Sequence, residues 1–284
     1  SSGLLSALAL LLTLAAVAVG AAVYTAASGE SVAILRLAAA AADRLVAGQT
    51  TAGVTLDLDA DPGAGRLAGT ATVEVQATSG PRRTFWFLLN PGLRIDAVQV
   101  SDETGRPVAA SAARLLLASA VTLEEPVAAG QTLRIRFTYG GEPALEPLGG
   151  DSASFRTDRI LLGPETFWYP YDARSFFAVD ATLRLPSDLE VVHNGAAASR
   201  VVRGATQEVS WRSERPVAGL ALVAGRFVRS ERRIGDTTWR VHQRADGALD
   251  AGAMIDALAA AHDVFAAQFG ASGFSRFTVF VDPE

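Results

Sequence analysis

Residues 54–75 read VTLDLDADPGAGRLAGTATVEV, and this stretch decides the fold class. Its first part alternates, with the apolar side chains of Val54, Leu56 and Leu58 separated by threonine and aspartate. The letters DPGAG supply turn residues, and the alternation resumes in TATVEV. Strict alternation on both sides of a turn predicts a β-hairpin with one buried face and one solvated face.

Strand patterns continue beyond this hairpin, and turn residues such as Asn90-Pro91-Gly92 separate them. The further predicted strands are 83–90, 95–100, 132–140, 179–186, 207–213 and 219–227. Many short strands with little helix between them predict a mainly β protein, built as an antiparallel β-sandwich. We place this sandwich at residues 53–230, a size that one all-β domain can reach.

The N-terminal region is apolar, with no charged residue from Gly3 to Ala27. About 20 apolar residues suffice for a helix to cross the hydrocarbon core. Residues 1–28 are therefore expected to be a transmembrane anchor in contact with membrane lipid, followed by a helical stalk at 29–52. A signal peptide is the alternative, since Ala26-Ala27-Ser28 offers small residues for cleavage. A buried soluble helix is the third interpretation.

The periodicity changes from that of strands to that of a helix near residue 248. One apolar stripe is predicted on a helix that Gly270 ends, formed by Met254, Leu258, Ala261, Phe265 and Phe269. A strand at 277–281 follows. We expect residues 231–284 to be the start of an α/β-type catalytic domain that the sequence truncates, because so short a stretch cannot complete a core.

Composition and motifs exclude several classes of site. The net charge of −5 argues against a nucleic-acid partner, which requires a basic face. The absence of cysteine removes thiolate nucleophiles and cysteine-bound zinc. His193, His242 and His262 lack the i, i+4 spacing of a helical zinc site. The sequence therefore predicts no catalytic residue and no metal ligand within this chain.

The segment 166-TFWYPYDAR-174 groups four aromatic residues around a proline. Large aromatic side chains most often fill cores, and Phe176 and Phe177 nearby favour packing. The alternative is a wall that faces a bound molecule. The residues alone leave both interpretations open, and both can hold for different side chains.

The order of several phrases resembles the N-terminal portion of zinc aminopeptidases of the aminopeptidase N type, the family that includes leukotriene hydrolase. These phrases cover 55–75, 88–100, 130–141, 166–174, 189–195 and 216–227. The resemblance implies a saddle-like β-domain followed by the opening of a catalytic domain. It extends over residues 53–284.

The resemblance also assigns a role to the aromatic stretch. In the family, a Thr-Gln-x-x-Pro-x-Asp-Ala-Arg segment places its Gln or Glu where it holds the free amino group of the substrate. Here Phe167 occupies the Gln position, and an aromatic ring cannot accept a hydrogen bond from an ammonium group. Glu165 is the replacement that the resemblance suggests, with Phe167, Trp168 and Tyr169 as further substrate contacts.

For the full-length protein, the resemblance implies a membrane-anchored zinc aminopeptidase that hydrolyses N-terminal peptide bonds. Its zinc would be held by an HExxH motif and a distant Glu beyond Glu284, so the present chain is expected to bind no zinc and to be inactive. Its folded part would lie outside the cytoplasm. The alternatives are a non-catalytic, membrane-anchored binding or scaffold protein and, less favoured, a domain of a membrane transporter or assembly.

Overall fold

The computed structural model describes residues 46–145, 153–193, 195–244, 247 and 249–281. The predicted anchor at 1–28 and residues 29–45 of the predicted stalk lie outside these residues. Within the described part of the chain, no helix combines the length and the apolar character that crossing a membrane requires.

The largest sheet contains the hairpin that the sequence predicts. Its seven strands, numbered in chain order and given in spatial order, are β12 (Gly195–Arg203), β13 (Thr206–Ser213), β10 (Ala178–Pro186), β1 (Gln49–Asp61), β2 (Arg66–Ala77), β7 (Thr132–Gly141) and β4 (Leu93–Asp102). β1 and β2 are antiparallel, with Leu56 opposite Ala71. Val54, Leu56 and Leu58 are buried, so the predicted inner face is confirmed.

The sheet is not purely antiparallel, and in this the sequence-based prediction was wrong. β1 and β10 run parallel, with Leu56 beside Ala181 and Leu58 beside Leu183. A parallel pair needs a long connection, and here β2 to β9 supply it. Alternation along a strand shows which face is buried but does not encode the direction of the neighbouring strand.

Two smaller sheets complete the core of the sandwich. One contains β3 (Arg82–Leu88), β6 (Ala118–Val127) and β5 (Ala110–Leu115), and the other contains β11 (Glu190–Val192), β14 (Leu222–Gly225), β9 (Arg159–Leu162) and β8 (Ser154–Arg156). Side chains from all three sheets share one hydrophobic core, including Leu56, Phe87 and Ile160. The alanine-rich β5 and β6 were not predicted, because alanine has a low propensity for strands.

A second, separate hydrophobic core lies at the C-terminal end. β15 (Phe227–Ile234), β16 (Thr237–Arg244) and β17 (Arg276–Val281) form a three-stranded sheet, and one helix, α1 (Ala251–Phe269), packs on it. Trp239, Val241 and Ile255 are buried in this core. The predicted helix and the predicted last strand are confirmed. We call α1 and β15–β17 the C-terminal module.

The predicted apolar stripe of α1 was wrong in its second half. The buried positions are Ala251, Ile255 and Ala259, all in the first half of the helix, with Met254 and Leu258 packed beside them. The remaining stripe residues are exposed: Ala261, Phe265 and Phe269. Among the described residues, only the first half of α1 packs against an apolar surface. The helix begins after the Asp250 cap, and it ends at Gly270, the residue that the sequence predicted as its end.

Two strand ends differ from the prediction. β1 begins at Gln49 and not at Gly53, because Gln49, Thr50 and Thr51 pair with the end of β2, so residues 49–52 of the predicted helical stalk are strand. The predicted strand at 219–227 is shorter, since β14 covers only Leu222–Gly225. Phe227 begins β15 and is half-buried.

Candidate functional site

The candidate site is built around residues 163–177, which we call the aromatic segment. It opens with a 3₁₀ turn at Pro164–Thr166, in which the N–H and the hydroxyl of Thr166 both donate to the carbonyl of Gly163, at 3.0 and 2.7 Å. Phe167 and Ala173 have φ values of 52° and 60°. Left-handed backbone is unfavourable for residues with a side chain and persists only where surrounding contacts impose it. The segment is therefore held in a strained shape.

Asn90 fixes the 3₁₀ turn through hydrogen bonds to its backbone. Its backbone N–H donates to the carbonyl of Phe167 at 2.8 Å, and its side-chain amide donates to the carbonyls of Thr166 and Ala144, at 2.8 and 2.9 Å. Its side-chain oxygen accepts from the N–H groups of Gly92 and Ala144, at 3.0 and 2.8 Å. Asn90 is completely buried, and these bonds fix the turn to the loop that precedes β4.

Arg114 hydrogen-bonds the backbone of the loop that contains Asn90. Its guanidinium donates to the carbonyl of Leu116 at 2.9 Å and to that of Leu89 at 3.1 Å. It also donates to the carbonyls of Asn90 and Leu93. One planar side chain thus satisfies four backbone carbonyls, a task for which the rigid fork of arginine is suited.

Trp168 and Tyr169 are entirely buried. The indole N–H of Trp168 donates to the carbonyl of Leu220 at 2.9 Å, and the hydroxyl of Tyr169 accepts from the N–H of Leu220 at 2.9 Å. Tyr139 donates to the carbonyl of Trp168 at 3.3 Å. In this conformation neither ring offers surface to a ligand, so the predicted substrate contact would require the segment to open.

The tyrosine hydroxyls of the segment stay protonated. Burial raises the pKa of Tyr169 above its ordinary value. Burial, and then the negative charges of Glu165 and Asp172, raise the pKa of Tyr171 to about 12. Tyr171 donates to the carbonyl of Pro164 at 3.0 Å. Both hydroxyls therefore stay protonated at neutral pH and hydrogen-bond within the fold, Tyr171 as a donor and Tyr169 as an acceptor, and they do not act as bases.

Asp172 anchors the far end of the segment to β1. Its carboxylate accepts from the N–H and the hydroxyl of Thr51, at 3.1 and 2.8 Å, and from the hydroxyl of Ser175 at 2.6 Å. The N–H groups of Arg174 and Ser175 also donate to it, at 3.1 and 3.0 Å. These bonds hold Ala173 in its left-handed conformation, and they make Asp172 a brace and not a ligand-facing group.

Glu165 differs from the other predicted residues because it is exposed. Its carboxylate lies over Gly163, where the Cβ of any other residue would overlap with it. Among the described residues, this carboxylate has no hydrogen-bond or ion-pair partner. Phe167 is half-buried against the core beside it. Of the four predicted contacts, the structure thus places Glu165 and Phe167 at the surface and Trp168 and Tyr169 inside.

The three histidines differ in their contacts. His193 stacks on Trp211 at 5.5 Å, His242 is buried on β16, and His262 contacts the edge of Trp239 at 5.6 Å. Within the described ranges, no group of three or more His, Cys, Asp or Glu residues is placed to hold a metal ion. These residues do not fit a zinc site.

A cavity of about 300 Å³ opens at the ends of β2, β4 and β7. Arg66, Arg94 and Asp96 line it together with glycine backbone, and Arg94 pairs with Asp96 at 2.8 Å. The cavity was not predicted from the sequence, and none of the predicted site residues lines it.

Solved structures of zinc metallopeptidases are similar to this chain in fold. The M1 zinc metallopeptidase from Deinococcus radiodurans superimposes with a TM-score of 0.67 and 21% sequence identity, over 84% of this chain and 57% of that one. A mutant of the same enzyme bound to a Tyr-Ser-Ala substrate gives a TM-score of 0.65 at the same identity and coverage. A two-domain M1 zinc metallopeptidase mutant bound to L-tryptophan gives 0.67, at 21% identity over 84% of this chain and 58% of that one.

No protein-family model matches the sequence, and no curated protein matches it either. The present chain spans 57% of the length of the Deinococcus radiodurans enzyme. The resemblance drawn from the ordered phrases is confirmed at the level of fold. The chain shares the fold of M1 zinc metallopeptidases over 84% of its length.

Proposed function

We propose that this chain is the N-terminal, substrate-binding part of a zinc metallopeptidase that hydrolyses N-terminal peptide bonds. The shared fold and the order of the sequence phrases support this proposal. The observation that carries it furthest is Glu165, a carboxylate without a described partner on a turn fixed by Asn90. A fixed, unpaired carboxylate suits recognition of a positively charged amino group.

The chemistry of the proposed substrate follows from this geometry. An ammonium group that reaches Glu165 would meet a charged acceptor, and Phe167, two residues along the chain, carries a half-buried ring. The acceptor would give a charge-assisted hydrogen bond, and the ring would add a weaker cation–π attraction. Phe167 could therefore contribute to substrate binding without the hydrogen bond that Gln makes in the family.

Zinc would be supplied by residues outside this chain, because the described histidines and carboxylates do not assemble a site. Zinc in such enzymes activates a water molecule. The role that we assign to the present residues is limited to binding and orienting the substrate's N-terminus.

The test uses a longer chain that continues through the reading frame beyond Glu284. We expect it to hold one zinc per molecule and to cleave aminoacyl anilides. Glu165→Ala should raise KM on the order of 10- to 100-fold, because a hydrogen bond to a charged group is lost. Glu125→Ala is the matched control, since Glu125 is an exposed carboxylate on β6. An unchanged KM for Glu165→Ala would contradict the assigned role.

A non-catalytic binding or scaffold protein is the second candidate, and Phe167 favours it. The position that holds an amide in the family carries an aromatic ring here, which fits loss of the peptidase site. If the downstream reading frame lacks HExxH and the longer chain holds no zinc, this candidate replaces the first.

We further propose that residues 1–28 anchor the protein in a membrane, with the folded part outside the cytoplasm. The support is the uncharged run from Gly3 to Ala27. An anchored protein should stay in the membrane fraction through carbonate washing and leave it only with detergent. Recovery of a soluble form that begins near Ser28 would support a cleaved signal peptide instead.

A further inference from the structure

The C-terminal module meets the large sheet through polar contacts. The two hydrophobic cores share no residue. Arg276 on β17 donates to the carbonyl of Gly195 at 2.8 Å and pairs with Glu214 at 3.6 Å. Arg215 donates to the carbonyl of Gly273 at 2.6 Å. The junction is therefore held by hydrogen bonds and charge and not by a common apolar core.

One face of the module's sheet supplies this polar layer. Residues paired across neighbouring strands point to the same face, as do alternate residues along one strand. The pairings Arg229 with His242, Arg240 with Thr278 and Thr238 with Arg276 thus define a face opposite to the one that bears α1. We call this face, together with Trp211 of the large sheet and His193 in the connection between β11 and β12, the polar layer.

Several buried polar atoms of this layer are unpaired. Among the described residues, Nδ1 of His242, Nε of Arg276, the hydroxyl of Thr278 and Nε1 of Trp211 are buried without a hydrogen-bond partner. Buried polar groups are normally bonded, so such a concentration on one surface is unusual. Because these groups lack described partners, the polar layer is less stable than the two hydrophobic cores that it separates.

His193 supports the junction only when its Nδ1 is unprotonated. This nitrogen accepts a hydrogen bond from the N–H of Gly195 at 3.2 Å. The carbonyl of the same Gly195 accepts from Arg276. A proton on Nδ1 of His193 would face the N–H of Gly195, so it would disrupt the residue through which Arg276 holds the module.

Arginines dominate the charges that face the two imidazoles. Arg229, Arg240 and Arg276 oppose protonation of His193. The carboxylates of the layer are already paired: Glu231 with Arg240, Glu214 with Arg276, and Glu190 with Arg200 at 3.3 Å and with Arg229 at 4.0 Å. Among the described carboxylates, Glu231 favours a proton on His242, and the contributions of Arg229, Arg240 and His193 against it are larger.

We propose that His193 and His242 make the polar layer an acid-sensitive joint, which holds the C-terminal module against the large sheet when both imidazoles are neutral and releases it when they are protonated. The inference needs no peptidase activity and is independent of the proposed function. It rests on the buried and unpaired Nδ1 of His242 and on the acceptor role of Nδ1 in His193.

The direction of the pH effect follows from the pKa values. Burial first, and then the arginines, lower the pKa of both histidines from 6.5 to about 4. A released module would expose them and restore ordinary values near 6.5. The closed joint is therefore fully stable above pH 6.5 and loses stability as the pH falls from 6.5 to 4. At pH 4, protonation favours release on the order of a hundredfold for each histidine.

The experiment measures the distance between the two parts in the full chain, held in detergent. Because the chain has no cysteine, Ser199→Cys on β12 and Asp236→Cys beside β16 give two unique sites for spin labels at exposed positions. We expect one narrow distance distribution at pH 8 and a broad one at pH 4. Far-UV circular dichroism should stay that of a folded β protein across this range.

Variants identify the groups responsible. The pair His193→Gln and His242→Gln should stay closed to pH 4, and His262→Gln, on the outer side of the module, should behave like the parent chain. Should the double variant fail to fold at pH 8, Arg229→Gln decides. Removing this exposed positive charge eases protonation of the closed state, so release should shift by about one pH unit to lower pH.

Three results would contradict the proposal of an acid-sensitive joint. The first is a distance that does not change between pH 8 and pH 4, and the second is release that coincides with loss of the far-UV signal. The third is release at the parent pH in both the double variant and Arg229→Gln, because protonation of these histidines would then have no part in it.

Discussion

Trp168 and Trp211 are both buried, yet their indole N–H groups have opposite environments. Trp168 donates to the carbonyl of Leu220, whereas the indole nitrogen of Trp211 has no partner among the described residues. The first belongs to the aromatic segment and the second to the polar layer. Burial alone therefore does not distinguish an anchored region from one that can rearrange, and the hydrogen bonds do.

The aromatic segment is held in one arrangement because any displacement breaks several bonds together. Asn90 bonds Thr166 of the segment through its amide nitrogen and the neighbouring loop through its side-chain oxygen, and Asp172 uses both carboxylate oxygens to bond Ser175. The polar layer loses less by moving, because some of its buried groups have no bond to break. The following substitutions test that contrast.

Trp168→Ala should give the largest loss of stability. We expect the free energy of unfolding to fall by about 3–5 kcal/mol, the usual effect of removing a large buried aromatic side chain. Urea unfolding of the purified chain, followed by far-UV circular dichroism, measures it. Phe227→Ala should have a smaller effect, since Phe227 is half-buried. Equal losses would contradict the central position of Trp168.

Asp172→Ala should destabilise the chain by about 3 kcal/mol, because several buried donors lose their acceptor at once. The control is Asp180→Ala, which breaks the exposed pair of Asp180 with Arg212 on the same sheet. Exposed pairs contribute about 0–1 kcal/mol. The same unfolding measurement applies, and a loss below that of the control would show that Asp172 is not the brace of the segment.

Replacing each tryptophan with phenylalanine isolates the N–H groups. Trp168→Phe should lower the free energy of unfolding by about 1–3 kcal/mol, because the carbonyl of Leu220 is left unpaired. Trp211→Phe removes an N–H that has no described partner, so its effect should stay below about 1 kcal/mol. A larger effect at Trp211 would indicate that its N–H is bonded in solution.

Phe269→Ala should have the smallest effect, within about 0.5 kcal/mol, because Phe269 is 78% exposed. Ile255→Ala on the same helix should lower the free energy of unfolding by about 2–5 kcal/mol, since Ile255 is buried in the module. If the two losses were equal, the helix face predicted from the sequence would be the buried one after all.

Local patterns predicted much of the fold. The hairpin at 54–75 and the helix ended by Gly270 were predictable because alternation, helical period and caps depend on neighbouring residues. The direction of β10 and the small alanine-rich strands were not, since partners distant in sequence determine them. The exposed Phe265 and Phe269 show the same limit, because a stripe indicates which residues could be buried and not how far the partner surface extends.

The candidate site was predictable in part. Glu165 and Phe167 lie at the surface of the turn, where the sequence placed a substrate contact that stays a prediction. The roles of Asn90 and Arg114 were not predictable. Asn90 carried the signal of an Asn-Pro-Gly turn, but its bonds to Thr166 and Ala144 join residues far apart in the chain.

The parallel pairing of β1 with β10 has a consequence for biosynthesis. At about 5–20 residues per second, the ribosome needs on the order of ten seconds to make the chain between these strands. During that time the edge of β1 stays open, and an open strand edge can pair with other nascent chains. Asp57 and Asp59 lie on that edge strand and later pair with Arg184 of β10. Their negative charges would repel wrong partners until the correct strand emerges.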